Sequence, residues 1–415
     1  MNDCCDYLKI AINCLLSNYG DTDQPRLSWS SHYEVELMRR NLLLDVVCST
    51  SILVIASNAA YAFEDPLVRL RAIDSFAGIG LGRGYDIVTG SPRGSCVNFD
   101  PVSEQIKTGQ DQASFESTEI ASLSELADQL GLSASSTFKG GFGAASASAA
   151  FARSSAFSRY SLHSLVRARL LTGGERLASV TMKPAFLEMA LSEDPKKVEA
   201  FRMACGDGYI SESIYGGEFN SLVTVITSSQ SQQESISGTL EISAPIASGS
   251  ASFEQKIEEI SKNTQVKIRT YQRGGNGEAF SITVSDIKNR AQNLPSLANK
   301  NPVILQVVVS SYILLEPELN QKIPDFISAE NSVIGLARQF REAADRQATL
   351  DYIIDNGDQF YLQPFDLPKL AAERKEVSSF MLNVDKAASD CIVDRTTCDN
   401  FKFQVPSPVV HPARR

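Results

Sequence analysis

An α+β protein, built on a few long strands with helix-bearing insertions between them, is what this sequence predicts. Three observations carry the expectation. Gly216-Gly217 leads into Phe219–Thr227, a segment rich in β-branched residues, and a second pair, Gly274-Gly275, closes the strand-like run Val266–Tyr271. Adjacent glycines beside a strand are costly in backbone entropy and pack nothing, so they mark a sharp bend or the close approach of another backbone. The stretches preceding and following this centre switch from helical periodicity to alternation. The order strand, insertion, strand occurs twice.

Taken in order, residues 1–37 hold Cys4, Cys5 and Cys14 and no clear periodicity. Met38-Arg39-Arg40 opens a basic segment, Leu42–Ala56 is apolar, and Ala60-Tyr61-Ala62 has the small-x-small form of a cleavage site. That combination reads as a signal peptide over 38–62, with cleavage after Ala62 and residues 1–37 outside the mature protein. A membrane anchor is the alternative, disfavoured by Asp45 and the short apolar core; a lipid attached at Cys48 is a weaker third reading. The expected folded domain spans 63–345, followed by a small C-terminal appendage over 346–415 with a disordered tail.

Within the domain, Gly78–Gly90 has Gly-x-Gly-x-Gly spacing, but no strong strand precedes it and no amphipathic helix follows, so it is a poor nucleotide site. Ser114–Ser117 is strand-like. Ile120, Leu123, Leu126, Ala127 and Leu130 fall on one helical face, with Ser117 or Thr118 as cap and Gly131 as terminator. Periodicity then becomes two: Leu132, Ala134 and Phe138, a Gly140-Gly141 turn, and Ala145, Ala147, Ala149 and Phe151. Tyr160–Leu171 is the next strand, with Arg167 and Arg169 on one face. Pro184–Met203 reads as two helices broken at Asp194-Pro195. After the glycine pair, Leu240, Ile242, Ala244 and Ile246 alternate, and Phe253, Ile257 and Ile260 suggest a short helix. Val303–Val309 and Tyr312–Leu315 are buried strand or helix, and a charged helix runs from about Val333 to Ile354.

Of the 415 residues 43% are hydrophobic and 21% charged, enough apolar content for a substantial core. The net charge of -10 argues against nucleic acid as a partner. His32, His163 and His411 are too scattered for a metal cluster, and no cofactor motif is present. Four cysteines follow the cleavage site, an even number that suggests two disulfides in an oxidising compartment. Cys391 and Cys398 are the natural local pair, and by elimination Cys96 would meet Cys205; four buried thiols are the alternative.

Tyr209, six further residues and Gly216-Gly217, preceded by Gly206, resemble the signature of the membrane attack complex/perforin (MACPF) family. The usual Tyr-Gly-Thr-His-Tyr lead-in is here Cys205-Gly206-Asp207-Gly208-Tyr209, so Gly206 and Tyr209 match and the Thr-His pair does not. Gly82-Arg83-Gly84-Tyr85-Asp86 is similar to the family's opening run. The resemblance covers roughly residues 70–345. It implies a MACPF/cholesterol-dependent-cytolysin-like bent, twisted, antiparallel four-stranded sheet flanked by two helical clusters, with Gly206, Tyr209, Gly216, Gly217, Gly274 and Gly275 at the signature and hinge. It also implies that the two insertions unfurl into transmembrane hairpins, their apolar faces formed by Leu132, Ala134, Phe138, Ala145, Ala147, Ala149 and Phe151, and by Leu240, Ile242, Ala244 and Ile246.

The expected function is that of a secreted pore former that docks on membrane lipid or a surface receptor, assembles into a homo-oligomeric ring or arc, and inserts hairpins. A spanning strand needs about 9–11 residues, and closure into a barrel satisfies its backbone. The alternative is a non-lytic binding, adhesion or assembly role on the same fold, because the presumptive lipid faces are thin and Pro245 interrupts one strand. An enzyme would have to use Asp207, which has no partner at a recognisable spacing and reads as a turn residue accepting backbone hydrogen bonds.

Overall fold

The computed structural model describes residues 68–414 apart from 73–77, 101–102, 107–111, 139–145, 242–251, 276–282, 322–325, 365, 402 and 404–410. The upstream extension and the expected signal peptide lie outside the described residues. Short strands come first: β1 (Val68–Ala72), β2 (Gly84–Asp86), β3 (Ser91–Pro92), β4 (Val97–Phe99) and β5 (Ser103–Ile106). β6 (Gln112–Glu119) leads through helices α1 (Leu123–Gln129) and α2 (Ala147–Arg153) into β7 (Ser161–Leu177). β8 (Val180–Met182), α3 (Pro184–Ala190) and α4 (Pro195–Cys205) connect to β9 (Gly208–Ile226). A second insertion, α5 (Gln230–Glu241) and α6 (Ser252–Ser261), precedes β10 (Gln265–Arg273). α7 (Val284–Lys300), β11 (Val303–Ser311), α8 (Phe326–Asp355) and α9 (Asp366–Val393) follow.

The sheet grows from one long antiparallel pair, β7 with β9, in register from Ser161↔Ile226 to Arg176↔Glu212. Each of these strands changes its outer partner partway along. β9 pairs with β11 as far as Gly216 and with β10 from Glu218 onward. β7 pairs with β6 as far as Leu171 and with β5 from Gly174, after a bulge at Leu171/Gly173. Both changes fall at the level of Gly216-Gly217, so two ladders share two strands. β7, β9, β10 and β11 are the expected four long strands; shorter ones extend them to a nine-stranded sheet among the described residues, every ladder in it antiparallel.

Alternation along a strand sends successive side chains to opposite faces. On one face Val166, Ala168, Leu170, Phe219, Val223 and Val225 pack with Ile236 of α5, Ile257 and Ile260 of α6, and Ile287, Ala291, Leu294 and Ala298 of α7. On the other, Leu165, Leu222 and Tyr271 pack with Ile120, Leu123, Leu126 and Leu130 around α1, and with Phe151 and Ala152 of α2. Each insertion therefore covers its own face of the same sheet.

Several local expectations are corrected. The strand-like run 114–117 extends to Glu119, so the first helix begins at Leu123 and its cap is Ser122, whose hydroxyl accepts from the Glu125 amide at 3.1 Å. Gly131 does terminate it, at φ 65. The alternating run 132–138 is a 3₁₀ turn over Ala134–Thr137 that buries Phe138, and Ala147, Ala149 and Phe151 lie in α2 rather than a strand. Alanine is the strongest helix former, and Ser146 caps α2 by accepting from the Ala149 amide, so the local preference is helical where no strand neighbour is available. Leu240 falls within α5 instead of an alternating strand. Ala145, Ile242, Ala244, Ile246 and Pro245 lie outside the described residues.

The expected appendage is the largest correction. The boundary at 345/346 falls inside α8, and Leu370, Val377, Phe380, Val384, Ala387, Ala388 and Cys391 of α9 are buried in one core with Val333, Leu336, Ala337, Leu350 and Ile353 of α8. That core continues into Ile210, Val307 and Val309 of the sheet. The spacing of three and four along α9 is an amphipathic stripe that has to be covered. Nor is the whole tail loose: Tyr361 donates to the Ala413 carbonyl at 2.9 Å, and Arg414 bridges to Phe360.

Candidate functional site

The glycine pairs meet. A Cβ on Gly274 would stand 2.7 Å from the Gly216 carbonyl oxygen and 3.0 Å from Gly217 Cα. Gly274 and Gly275 also hold φ of 69 and 72, which L side chains avoid. A Cβ on Gly217 would come within 2.5 Å of Ala298 Cβ on α7, and one on Gly275 within 2.9 Å of Leu297 Cβ. The four glycines thus let β9, the end of β10 and α7 converge at the level where the ladders change partners.

Below that level the first half of β7 and the second half of β9 run alongside each other to the two insertions. Phe138 is fully buried, edge-on to Phe340 with ring centroids 5.8 Å apart; Phe151 lies 6.0 Å from Tyr271. The Asp345 carboxylate of α8 accepts from the Leu123 amide at 3.0 Å, at the start of α1. Burial pushes that carboxyl up to about 7. His163 of β7 lies between Ser161 and Thr224 at 2.9 and 3.0 Å with Phe157 beside its ring at 4.2 Å, and burial holds its pKa down at about 4. Thus the expected face residues Phe138, Ala149 and Phe151 are buried, Phe138 and Phe151 in separate cores, while Leu132 and Ala134 are half-buried and Ala147 is exposed.

Above the glycines, the signature forms a covalent and ionic knot. Cys96 is bonded to Cys205, and Cys391 to Cys398. Gly206 ends α4 at φ 77, where a Cβ would run into the Tyr85 carbonyl. Tyr209 is buried against Tyr312, centroids 5.8 Å apart, and Tyr312 donates to the Cys205 carbonyl at 3.0 Å. Asp207 does take a backbone hydrogen bond, from the Ile87 amide at 2.9 Å, but its main partner is Arg395, which forks onto both carboxylate oxygens at 2.7 and 2.9 Å. Arg395 also reaches Asp86 at 3.2 Å, and Arg93 holds the other oxygen of Asp86 at 2.8 Å. Burial pushes the Asp207 carboxyl up against the pull of Arg395; at Asp86 Arg395 and Arg93 outweigh burial and hold it low.

Both Asp207 oxygens are occupied by a permanent cation, so it is not a base awaiting a substrate. No group of metal-holding side chains occurs among the described residues. Asp207 thus serves the knot that ties Arg395 to the signature. Sequence reasoning missed Arg395, Asp86, Asp345 and Arg414, although Arg395 lies inside the Cys391–Cys398 loop and Asp86 closes the Gly84-Tyr85-Asp86 run.

No protein-family model matches the sequence, and no curated protein sequence matches it. Among solved structures, the chain is similar to stonustoxin, with 13% identity over 80% of this chain and 44% of that one, TM-score 0.42. It is similar to GNIP1Aa from Chromobacterium piscinae, with 16% identity over 63% of this chain and 56% of that one, TM-score 0.39. It is also similar to astrotactin-2, described as a conserved vertebrate-specific and perforin-like membrane protein, with 14% identity over 58% of this chain and 95% of that one, TM-score 0.33. The chain spans less than two thirds of the length of the first two. The fold rests on the strand register given above. It has the layout that the MACPF resemblance implies: one antiparallel sheet whose outer ladders change partner at a glycine level, with a helical insertion stored against each face.

Proposed function

We propose that this chain is a pore-forming protein that is exported, docks on a membrane surface, assembles with copies of itself and releases its two insertions as β-hairpins. One observation carries the reading. Each insertion is bracketed by strands of the shared sheet, β6 with β7 and β9 with β10, and the described residues of each include short helices between those strands. At about 40 residues each, they exceed the ~9–11 residues per strand that a bilayer-spanning hairpin needs. Because a membrane-inserted strand must satisfy its whole backbone, release requires closure into a multi-chain barrel. The glycine level at Gly216-Gly217 and Gly274-Gly275 is the hinge in this reading, with membrane lipid or a surface receptor as target.

Dye release from liposomes, with rings or arcs in electron micrographs, tests the proposal. Tethering each insertion to its face by an engineered disulfide should abolish release and spare membrane binding. Full membrane coating without release would sink the lytic reading. The second reading, a non-lytic binding or assembly protein, is favoured by the composition of α5, whose sequence QSQQESISGTLE offers little to a lipid face.

A further inference from the structure

We propose that residues 411–414 are an autoinhibitory strap that clasps the roots of both insertions, with Arg414 as its latch; the inference rests on reading the insertions as releasable. Tyr160 is the last residue of the first insertion and Thr227 the first of the second, and they continue the β7–β9 ladder by one step, the Thr227 amide donating to the Tyr160 carbonyl at 3.1 Å. Any hairpin extending this ladder has to run on through that pair. Arg414 sits on both. Its guanidinium donates to Thr227 Oγ1 at 3.2 Å and lies 4.9 Å from the centre of the Tyr160 ring.

The other half of the clasp belongs to neither insertion. Arg414 donates to the Tyr352 hydroxyl at 3.0 Å and to Gln359 Oε1 at 3.4 Å, and the one Tyr352 hydroxyl proton has two acceptors in reach, Gln359 Oε1 at 2.8 Å and the Thr227 carbonyl at 3.2 Å. Tyr160 packs against Tyr352 and Phe360, each at 5.1 Å between centroids. The strap is seated by the Tyr361 amide on the Ala413 carbonyl. It forms one wall of a cavity whose other walls include Glu119 at the start of the first insertion and Gln230, Gln233 and Glu234 of α5. One planar cation therefore ties both insertion roots to the α8 region by hydrogen bonds and ring contact, and lifting it frees both together.

Amide hydrogen exchange of the full chain in solution, without membrane, tests the strap. In R414A, exchange of α1, α2, α5 and the adjoining ends of β7 and β9 should rise at least about tenfold, the scale of one lost charge-assisted hydrogen bond, with β1, β11 and α9 unchanged. R414K, which keeps the charge but not the fork, should fall between. Unchanged exchange in R414A, or a uniform rise that includes β11 and α9, overturns the proposal. Dye release is scored separately: faster exchange without release in either protein leaves the strap standing and removes the pore reading. Release by the wild type with unchanged exchange in R414A does the reverse.

Discussion

Replacing Arg395 with methionine strips the forked cation from a buried carboxylate of the knot, Asp207. Asp207 is 1% exposed, Asp86 likewise, and Arg395 makes three hydrogen bonds across the pair. Methionine fills much of the volume but leaves Asp207 facing only the Ile87 amide, beside a second carboxylate that keeps Arg93. Breaking a buried pair in this way costs about 3–5 kcal/mol. With a urea slope of roughly 3 kcal/mol/M, the unfolding midpoint should fall by about 1 M. Asp207 would then relieve its burial by holding a proton, so its folded pKa rises further above the unfolded value. Stability therefore recovers as pH falls from 7 towards 5, and the gap to wild type narrows. The double variant D207N/R395M removes the stranded charge and should be the more stable of the two, with a coupling energy of about 2 kcal/mol or more. Urea titrations of the four proteins at pH 7 and 5 measure this. Additive losses, or a loss in R395M below about 1 kcal/mol, would show that the knot is not held by this pair.

Between pH 6.5 and 4 the contributions of His163 and Asp345 should oppose each other. His163, held down at about 4 from an ordinary 6.5, contributes stability that is complete above 6.5 and lost as pH falls to 4, at most about 3 kcal/mol. Asp345, raised to about 7 from 3.8, works the other way, its contribution being complete below 3.8 and lost as pH rises to 7. D345N should therefore expose a downward slope on acidification and gain stability at pH 8, and H163Q an upward slope; parallel profiles for all three proteins would contradict the assignment. Loss of Cys96–Cys205, with a sequence separation of 109, should cost about 5 kcal/mol, and loss of Cys391–Cys398, with a separation of 7, only about half that, as serine double variants would show in thermal unfolding. Gly217→Val should cost more than 2 kcal/mol, since its side chain would enter the space of Ala298; a stability equal to wild type would mean that α7 does not seat at this level.

Local signals were legible where one stretch of chain contained its own reason. The β-branched run after Gly216-Gly217, the helix break at Asp194-Pro195 and the strand closed by Gly274-Gly275 all occur where the sequence places them. So does the pairing of the cysteines, since Cys391 and Cys398 are neighbours and only two others remained after the presumed cleavage site. Alternation over 132–138 and 147–151 misled, because small residues such as alanine and serine satisfy a strand pattern and a capped helix equally well. Which of them forms depends on whether a partner strand is present.

Tertiary structure alone decided the rest. The stripe Leu370, Val377, Phe380, Val384 along α9 announces a buried helical face, but a stripe does not say what covers it; here it is α8 and, through it, the sheet. Arg395 meets Asp207 across 188 residues and Arg414 meets Thr227 across 187, separations over which no periodicity or spacing carries information. Sequence by itself determined where strands bend and helices start, because those preferences act between residues a few positions apart. Which carboxylate receives which arginine, and which surface each insertion covers, became determined only when the folded sheet brought distant segments within the few ångströms over which hydrogen bonds and packing act.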